Sequence, residues 1–317
     1  GACMHGQTCL PRRQTSGWLP QRQSLPSKLR PASAAYQDLD RLADSAWDAE
    51  LYANMGSPSE GLRGLHSTEP FRRNGSPLVS IPLSSCLCLQ ALSTGQACHG
   101  MSLDAHPGIP PPLLQLLQGR DPSVQHVWGV EYLMLAAWVL WLKRASDGLG
   151  GAPAPSPAPV RDAWVTYVQQ VLPPPAETPR LLLALNATET DALGSDELKA
   201  EARRQQQWAM EMHKRLQVVC EGVNLRDSLW ALAMARSRSF ELSVQSNGSR
   251  LWCWPPLIDL VNGDVKSRAN VEVVLSGSRL QLVPIAAGKA GDELLLDYGF
   301  RDSITSLADY GFVMEQP

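Results

Sequence analysis

Apolar positions change their period along the chain. Over 38–55, Leu39, Leu42, Trp47 and Leu51 recur at helical spacing and predict a helix. From 61 to 92 the texture shifts to short apolar runs between turn residues. Asn74-Gly75 is a turn signal, and the run 78–83 reads as a strand broken at Pro82. Residues 110–242 return to helical periodicity, with a helix start at Asp121-Pro122-Ser123. The most apolar run, 127–142, carries only Glu131 as a charge. It is shorter than the roughly 20 residues a membrane span needs, so it predicts a buried helix and no membrane partner. A low-complexity stretch at 148–160, built on GLGGAPAPSPAP, predicts a flexible surface loop.

Ser195 is placed to cap a helix whose first turn holds Asp196 and Glu197, and whose inner face holds Trp208, Met212, Leu216 and Val219. Asn224 caps the next helix and turns Leu229, Trp230, Ala233 and Met234 inward. After Phe240 the period returns to that of strands. Segments 271–275 and 279–283 bracket Ser276-Gly277-Ser278 as a hairpin, and 294–296 is a third short strand. Strands, then helices, then strands predict an α+β protein, with a helical insert at about 110–220 inside a mostly β domain.

Composition narrows the functional classes. The 317 residues are 44% hydrophobic and 19% charged, with a net charge of −3. That suits a globular chain and lacks the basic excess of a nucleic-acid binder. The seven cysteines are odd in number and include no CxxC pair, which argues against a disulfide framework and against a structural zinc site. Cys86 and Cys88 read as small buried hydrophobes, and no metal is expected. Residues 1–37 carry Arg12, Arg13, Arg22, Lys28 and Arg30 and no acid. This resembles an organelle transit segment, with a chloroplast favoured over cytoplasm or nucleus; a plain disordered end fits equally.

Hydrolytic and phosphate-binding motifs are absent, and the six histidines show no ligand spacing. Candidate chemistry gathers in the last 80 or so residues. The first segment is a helix end carrying Arg236 and Arg238; a favourable dipole contact explains one arginine better than two. Next, Asp259 and Asn262 sit among apolar residues in PLIDLVN, either as turn caps or as holders of a buried polar ligand. Finally, Asp297-Tyr298-Gly299-Phe300 is echoed by Asp309-Tyr310-Gly311-Phe312, each read as a tyrosine at a strand end before a turn glycine.

These segments, in this order, resemble the SET-domain protein methyltransferases of the plant Rubisco lysine methyltransferase type. The likeness runs from about Glu60 to Val313, through EGLRGL at 60–65, GSPLVSIPLSSCLCL at 75–89, WVTYVQQVLP at 164–173, SRSF, PLIDLVN and GDELLLDYGF. The resemblance implies a SET domain over 38–313, a pseudoknotted β fold with its α-helical insert at about 110–220, and a monomer that methylates a lysine side chain on a non-histone protein with S-adenosylmethionine. Glu60, Gly61, Leu62, Arg238, Asp259, Asn262, Gly263 and Phe312 would hold the cofactor. Tyr298 would be the catalytic tyrosine, in a substrate channel shared with Tyr310 and Arg238. Three departures stand out. Gly263 replaces the family's histidine, two residues instead of one separate Gly61 from Gly64, and 314–317 is a tail with no helical C-terminal substrate domain. A catalytically inactive SET-like binding module and a protein-histidine methyltransferase are the alternatives.

Overall fold

The computed structural model describes residues 47, 49–51, 53–55, 64–90, 103, 106–120, 128–146, 159–178, 181–243, 250–264, 266–299 and 302–312. The strands are β1 (Glu50–Leu51), β2 (Ala53–Met55), β3 (Leu65–Ser67), β4 (Val79–Pro82) and β5 (Leu87–Gln90). The α-helices among the described residues are α1 (Pro111–Leu117), α2 (Val130–Ser146), α3 (Pro159–Gln170), α4 (Ala187–Asp191), α5 (Asp196–Val219), α6 (Leu225–Arg238) and, near the end of the chain, α7 (Ser303–Tyr310). Between α6 and α7 lie β6 (Phe240–Ser243), β7 (Arg250–Trp254), β8 (Asn262–Asp264), β9 (Val271–Ser276), β10 (Arg279–Pro284) and β11 (Leu295–Asp297).

The largest sheet runs β1-β4-β10-β9-β11-β8; β2 pairs with β3, and β7 lies between β5 and β6. Strands from before and after the helices therefore interleave. β4 pairs with β10 and β5 pairs with β7, both antiparallel. Most pairings are antiparallel, but β11 runs parallel to both β8 and β9.

The expected helix over 38–55 is corrected where the chain is described. Leu51 lies in β1 opposite Val79, and Asn54 in β2 lies opposite His66. Leu51 follows Trp47 at helical spacing, but cross-strand pairing overrides that local preference. The predicted loop also ends earlier than 160. Pro159 and Val160 open α3, where a proline costs nothing because a first-turn N–H has no intrahelical partner. The helix start at 121–123, the remainder of the loop and the transit-like 1–37 lie outside the described residues.

Elsewhere local chemistry sets the boundaries as read from the sequence. Ser195 Oγ accepts the Leu198 N–H at 3.1 Å, and the Asn224 side chain accepts the Asp227 N–H at 2.8 Å. In α2 the stretch from Leu133 to Leu140 is buried on every face, as expected, but Trp128 in the same predicted run is 57% exposed. On α5, Met212 and Leu216 are buried, while Trp208 and Val219 are half-buried at the edge of the core. One apolar core joins these helices to the strands. No helix among the described residues is long and apolar enough to cross a membrane.

Candidate active site

The site begins at the C-terminus of α6. Its two arginines, two residues apart on a helix, point to different neighbours. Arg236 binds Asp309 at 2.8 Å, hydrogen-bonds Gln205 and lies 5.9 Å from the Tyr132 ring centroid. Arg238 donates to the Asp259 carboxylate and to the Asp259 carbonyl, both at 3.2 Å. Two separate structural uses thus account for a pair that the helix dipole alone explained poorly.

Asp259 is delivered by a tight turn between β7 and β8. Leu257 adopts φ 72° and ψ −54°, an uncommon conformation for a branched residue, and the Asp259 N–H returns to the Pro255 carbonyl at 3.1 Å. The carboxylate is fully buried. One oxygen accepts the Tyr167 hydroxyl at 2.5 Å; the other accepts the Trp254 indole at 2.9 Å as well as Arg238. Burial pushes the Asp259 carboxyl upward, and Arg238 followed by the other donors opposes the shift. Burial, reinforced by the Asp259 charge, holds the Tyr167 phenol well above its usual value. Asp259 therefore fastens α3, β7 and α6 to one another, with its acceptor capacity directed inward. Tyr167 and Trp254 were not singled out in the sequence, although Tyr167 sits in the W-x-x-Y of the insert.

The second half of the site comes from the parallel pairing of β8 with β11, in which Asn262, Gly263 and Asp264 face Leu295, Leu296 and Asp297. That register sets Tyr298 immediately beyond the pair. Its hydroxyl donates to the Val261 carbonyl at 3.2 Å, and its ring covers Gly263. A Cβ at 263 would lie 2.1 Å from the ring, so glycine here is what lets the phenol sit down on the strand. Asn262 donates to Glu293 at 2.7 Å, and the backbone at Gly64 packs on that pair so closely that a Cβ would lie 2.7 Å from the Asn262 amide nitrogen. Glu293 was another residue the sequence reading passed over.

Tyr298 stacks on Tyr310 with centroids 4.4 Å apart and planes 31° apart, and Tyr310 lies 6.2 Å from Phe312. The first DYGF copy fits the predicted strand end. The second does not: Asp309 and Tyr310 close helix α7, and Gly311 at φ 79° is its left-handed cap. Burial raises the Tyr298 phenol above its ordinary value, with the Tyr310 charge the next cause, so it stays a neutral donor. Glu60, Gly61 and Leu62 lie outside the described residues. A cavity of about 770 Å³ lined by Trp128, Arg204 and α7 residues, among others, includes none of Tyr298, Asp259 or Asn262.

One polar atom tests what the site could hold. The Arg238 Nε is buried and has no hydrogen-bond partner among the described residues. A buried donor of this kind calls for an acceptor. A ligand bearing a carboxylate would supply one, which fits the amino-acid end of S-adenosylmethionine.

No protein-family model and no curated protein matches the chain. Solved structures do. The SET domain of LSMT bound to lysine and AdoHcy aligns with a TM-score of 0.61 at 16% identity, covering 90% of this chain and 58% of that one. Rubisco LSMT bound to AdoMet aligns at 0.60 and 15% identity, covering 89% of this chain and 57% of that one. The chain thus spans well under two thirds of the proteins it resembles, and at this identity the likeness speaks for the architecture. The fold is that of a SET domain carrying a helical insert.

Proposed function

We propose that this chain is an S-adenosylmethionine-dependent protein-lysine N-methyltransferase acting on a non-histone protein as a monomer. The observation that carries the reading is the meeting of Tyr298 with the 259–263 segment: a neutral phenol held on the Val261 carbonyl, next to a strand anchored by Arg238 and Asp259. The solved neighbours, described as bound to AdoMet and to lysine or methyllysine, support it by fold.

The cofactor supplies a methyl group on a sulfonium, already poised to leave, so the protein's task is alignment. Arg238 Nε takes the carboxylate end, while Asp259 keeps that guanidinium in place without touching the ligand itself. Asn262 and the Gly263 backbone form one wall, and the resemblance assigns Glu60, Gly61 and Leu62 to the cofactor as well. The phenol of Tyr298 orients the incoming amine through its dipole. Its raised pKa makes it a poor base, so the amine arrives neutral by loss of its proton to solvent as it leaves water for the channel. Tyr310 and Phe312 extend the aromatic wall. A chloroplast address rests on the composition of 1–37, and an import assay with that segment fused to a reporter tests it.

Incubation of the chain with labelled cofactor and a cell extract, followed by mass spectrometry, is expected to find methyl-lysine on a protein other than a histone. Tyr298→Phe should cut turnover by on the order of 100-fold, as loss of one oriented donor does, with calorimetric cofactor affinity unchanged. Undiminished turnover would remove Tyr298 from the chemistry. A catalytically inactive binding module is the second reading, favoured by the engagement of the Tyr298 hydroxyl with Val261; absence of any cofactor binding would select it.

A further inference from the structure

Away from the cofactor-facing side of the turn, three cysteines from distant parts of the chain converge. Cys88 on β5 and Cys253 on β7 are direct cross-strand partners, and their sulfurs lie 3.1 Å apart. Cys86 precedes Cys88 by two residues in extended chain, so its sulfur falls on the same side; all three Sγ atoms lie within 4.8 Å of one another. Each residue is 0% exposed. A single buried thiol is content among apolar neighbours. Packing alone does not ask three sulfurs to face each other, and a Cys88–Cys253 disulfide would leave Cys86 without a role.

We propose that Cys86, Cys88 and Cys253 form a three-sulfur site for a soft monovalent ion of the Cu(I) class. Thiolates select soft ions. Structural zinc takes four ligands, and among the described residues no further Cys, His, Asp or Glu joins this group. Metal–sulfur bonds of about 2.3 Å in a threefold ring set the sulfurs roughly 4 Å apart, so the close pair must open by just under about 1 Å. An incoming ion displaces the thiol protons to solvent as the metal–sulfur bonds form.

The site lies behind the Asp259 junction. Cys253 adjoins Trp254, which donates to Asp259, and Cys86 adjoins Ser85, whose carbonyl accepts the Trp164 indole at 2.9 Å. An ion here clamps β5 to β7 and stabilises the folded chain by mass action.

The test presents Cu(I), held by a chromogenic chelator under anaerobic conditions, to the reduced full chain. One ion per chain should leave the chelator, the melting temperature should rise, and X-ray absorption should show a shell of three sulfurs only. Cys86→Ala and Cys88→Ala should each weaken binding by on the order of 100-fold, at least the effect of losing a supporting ligand contact. The proposal falls if no copper is withdrawn, if nitrogen or oxygen completes the shell, or if the alanine variants bind as the parent does, which would place copper on other cysteines. Should a variant fail to fold, the absorption spectrum of the parent chain still decides.

Discussion

The Asp259 junction and the Tyr298–Tyr310 pair are linked through the Val261 carbonyl, yet they are built on opposite terms. Asp259 is sealed from water and receives three side-chain donors from three elements. The tyrosines are half-buried, stack on each other, and reach the turn through the hydrogen bond from Tyr298 to the backbone at Val261. The junction holds the scaffold in one arrangement. Neither tyrosine is sealed from solvent as Asp259 is. A carboxylate near a SET-type pocket is thus not automatically a ligand for the cofactor; here its lone pairs are already occupied.

If that division is right, the two regions respond differently to change. The largest effect is expected from Asp259→Ala, which strands Arg238, Tyr167 and Trp254; breaking a buried charge pair costs about 3–5 kcal/mol, measurable by denaturant unfolding. Loss of less than about 1 kcal/mol would mean that the junction is not a structural anchor.

Acid offers a second discrimination. Asp259 has its carboxyl raised by burial, so protonation favours the folded form and its contribution does not vanish as pH falls. His106 behaves oppositely. It is 1% exposed, packs edge-on against Trp138, and burial, followed by the Arg161 charge, lowers it to about 3. Its contribution is complete above the unfolded value of about 6.5 and disappears as pH falls toward 3, with a slope of up to about 1.4 kcal/mol per pH unit. Melting curves from pH 7 to 4 should show that loss, and His106→Leu should flatten it. A slope that survives the substitution would return the acid sensitivity to other groups.

Gly263→Ala sets the two regions against each other, because its Cβ enters the Tyr298 ring. Overpacking of this kind costs about 1–3 kcal/mol. The cost should fall by at least half in a Tyr298→Ala background, which a double-mutant cycle reads directly. The smallest effect is that of Tyr298→Phe on stability. It removes one half-buried hydrogen bond, about 0.5–1.5 kcal/mol, so the loss of turnover predicted for that variant cannot be ascribed to unfolding.

Much of the fold was legible in the sequence because its signals are local. Ser195 and Asn224 cap helices through side chains three residues from the N–H they satisfy, and the 271–284 hairpin is carried by alternation and a glycine turn. What local pattern could not supply was pairing across the insert. Leu51 looked helical because its strand partner, Val79, is not visible in a short window. Tyr167 and Glu293 act through residues far away in sequence. Cys86 and Cys88 were taken as filler because their third member is on β7. The second DYGF copy misled for a different reason: the same four residues end a strand once and a helix once, and only the left-handed glycine is common to both.

The interleaving of strands from either side of the insert also dictates an order of events. Ser80 bonds Arg279 across nearly 200 positions of chain, whereas α2 and α6 need only near neighbours to gain most of their helical hydrogen bonds. Helices assemble on contacts that are cheap in chain entropy, and the sheet must wait for its distant half. During synthesis on the ribosome, β5 remains without its mate until β7 emerges, and β4 can pair only with β1 until β10 does. Tyr298 completes its seat late, so a nascent chain holds its helices beside exposed strand edges well before the stack of Tyr298 on Tyr310 can close.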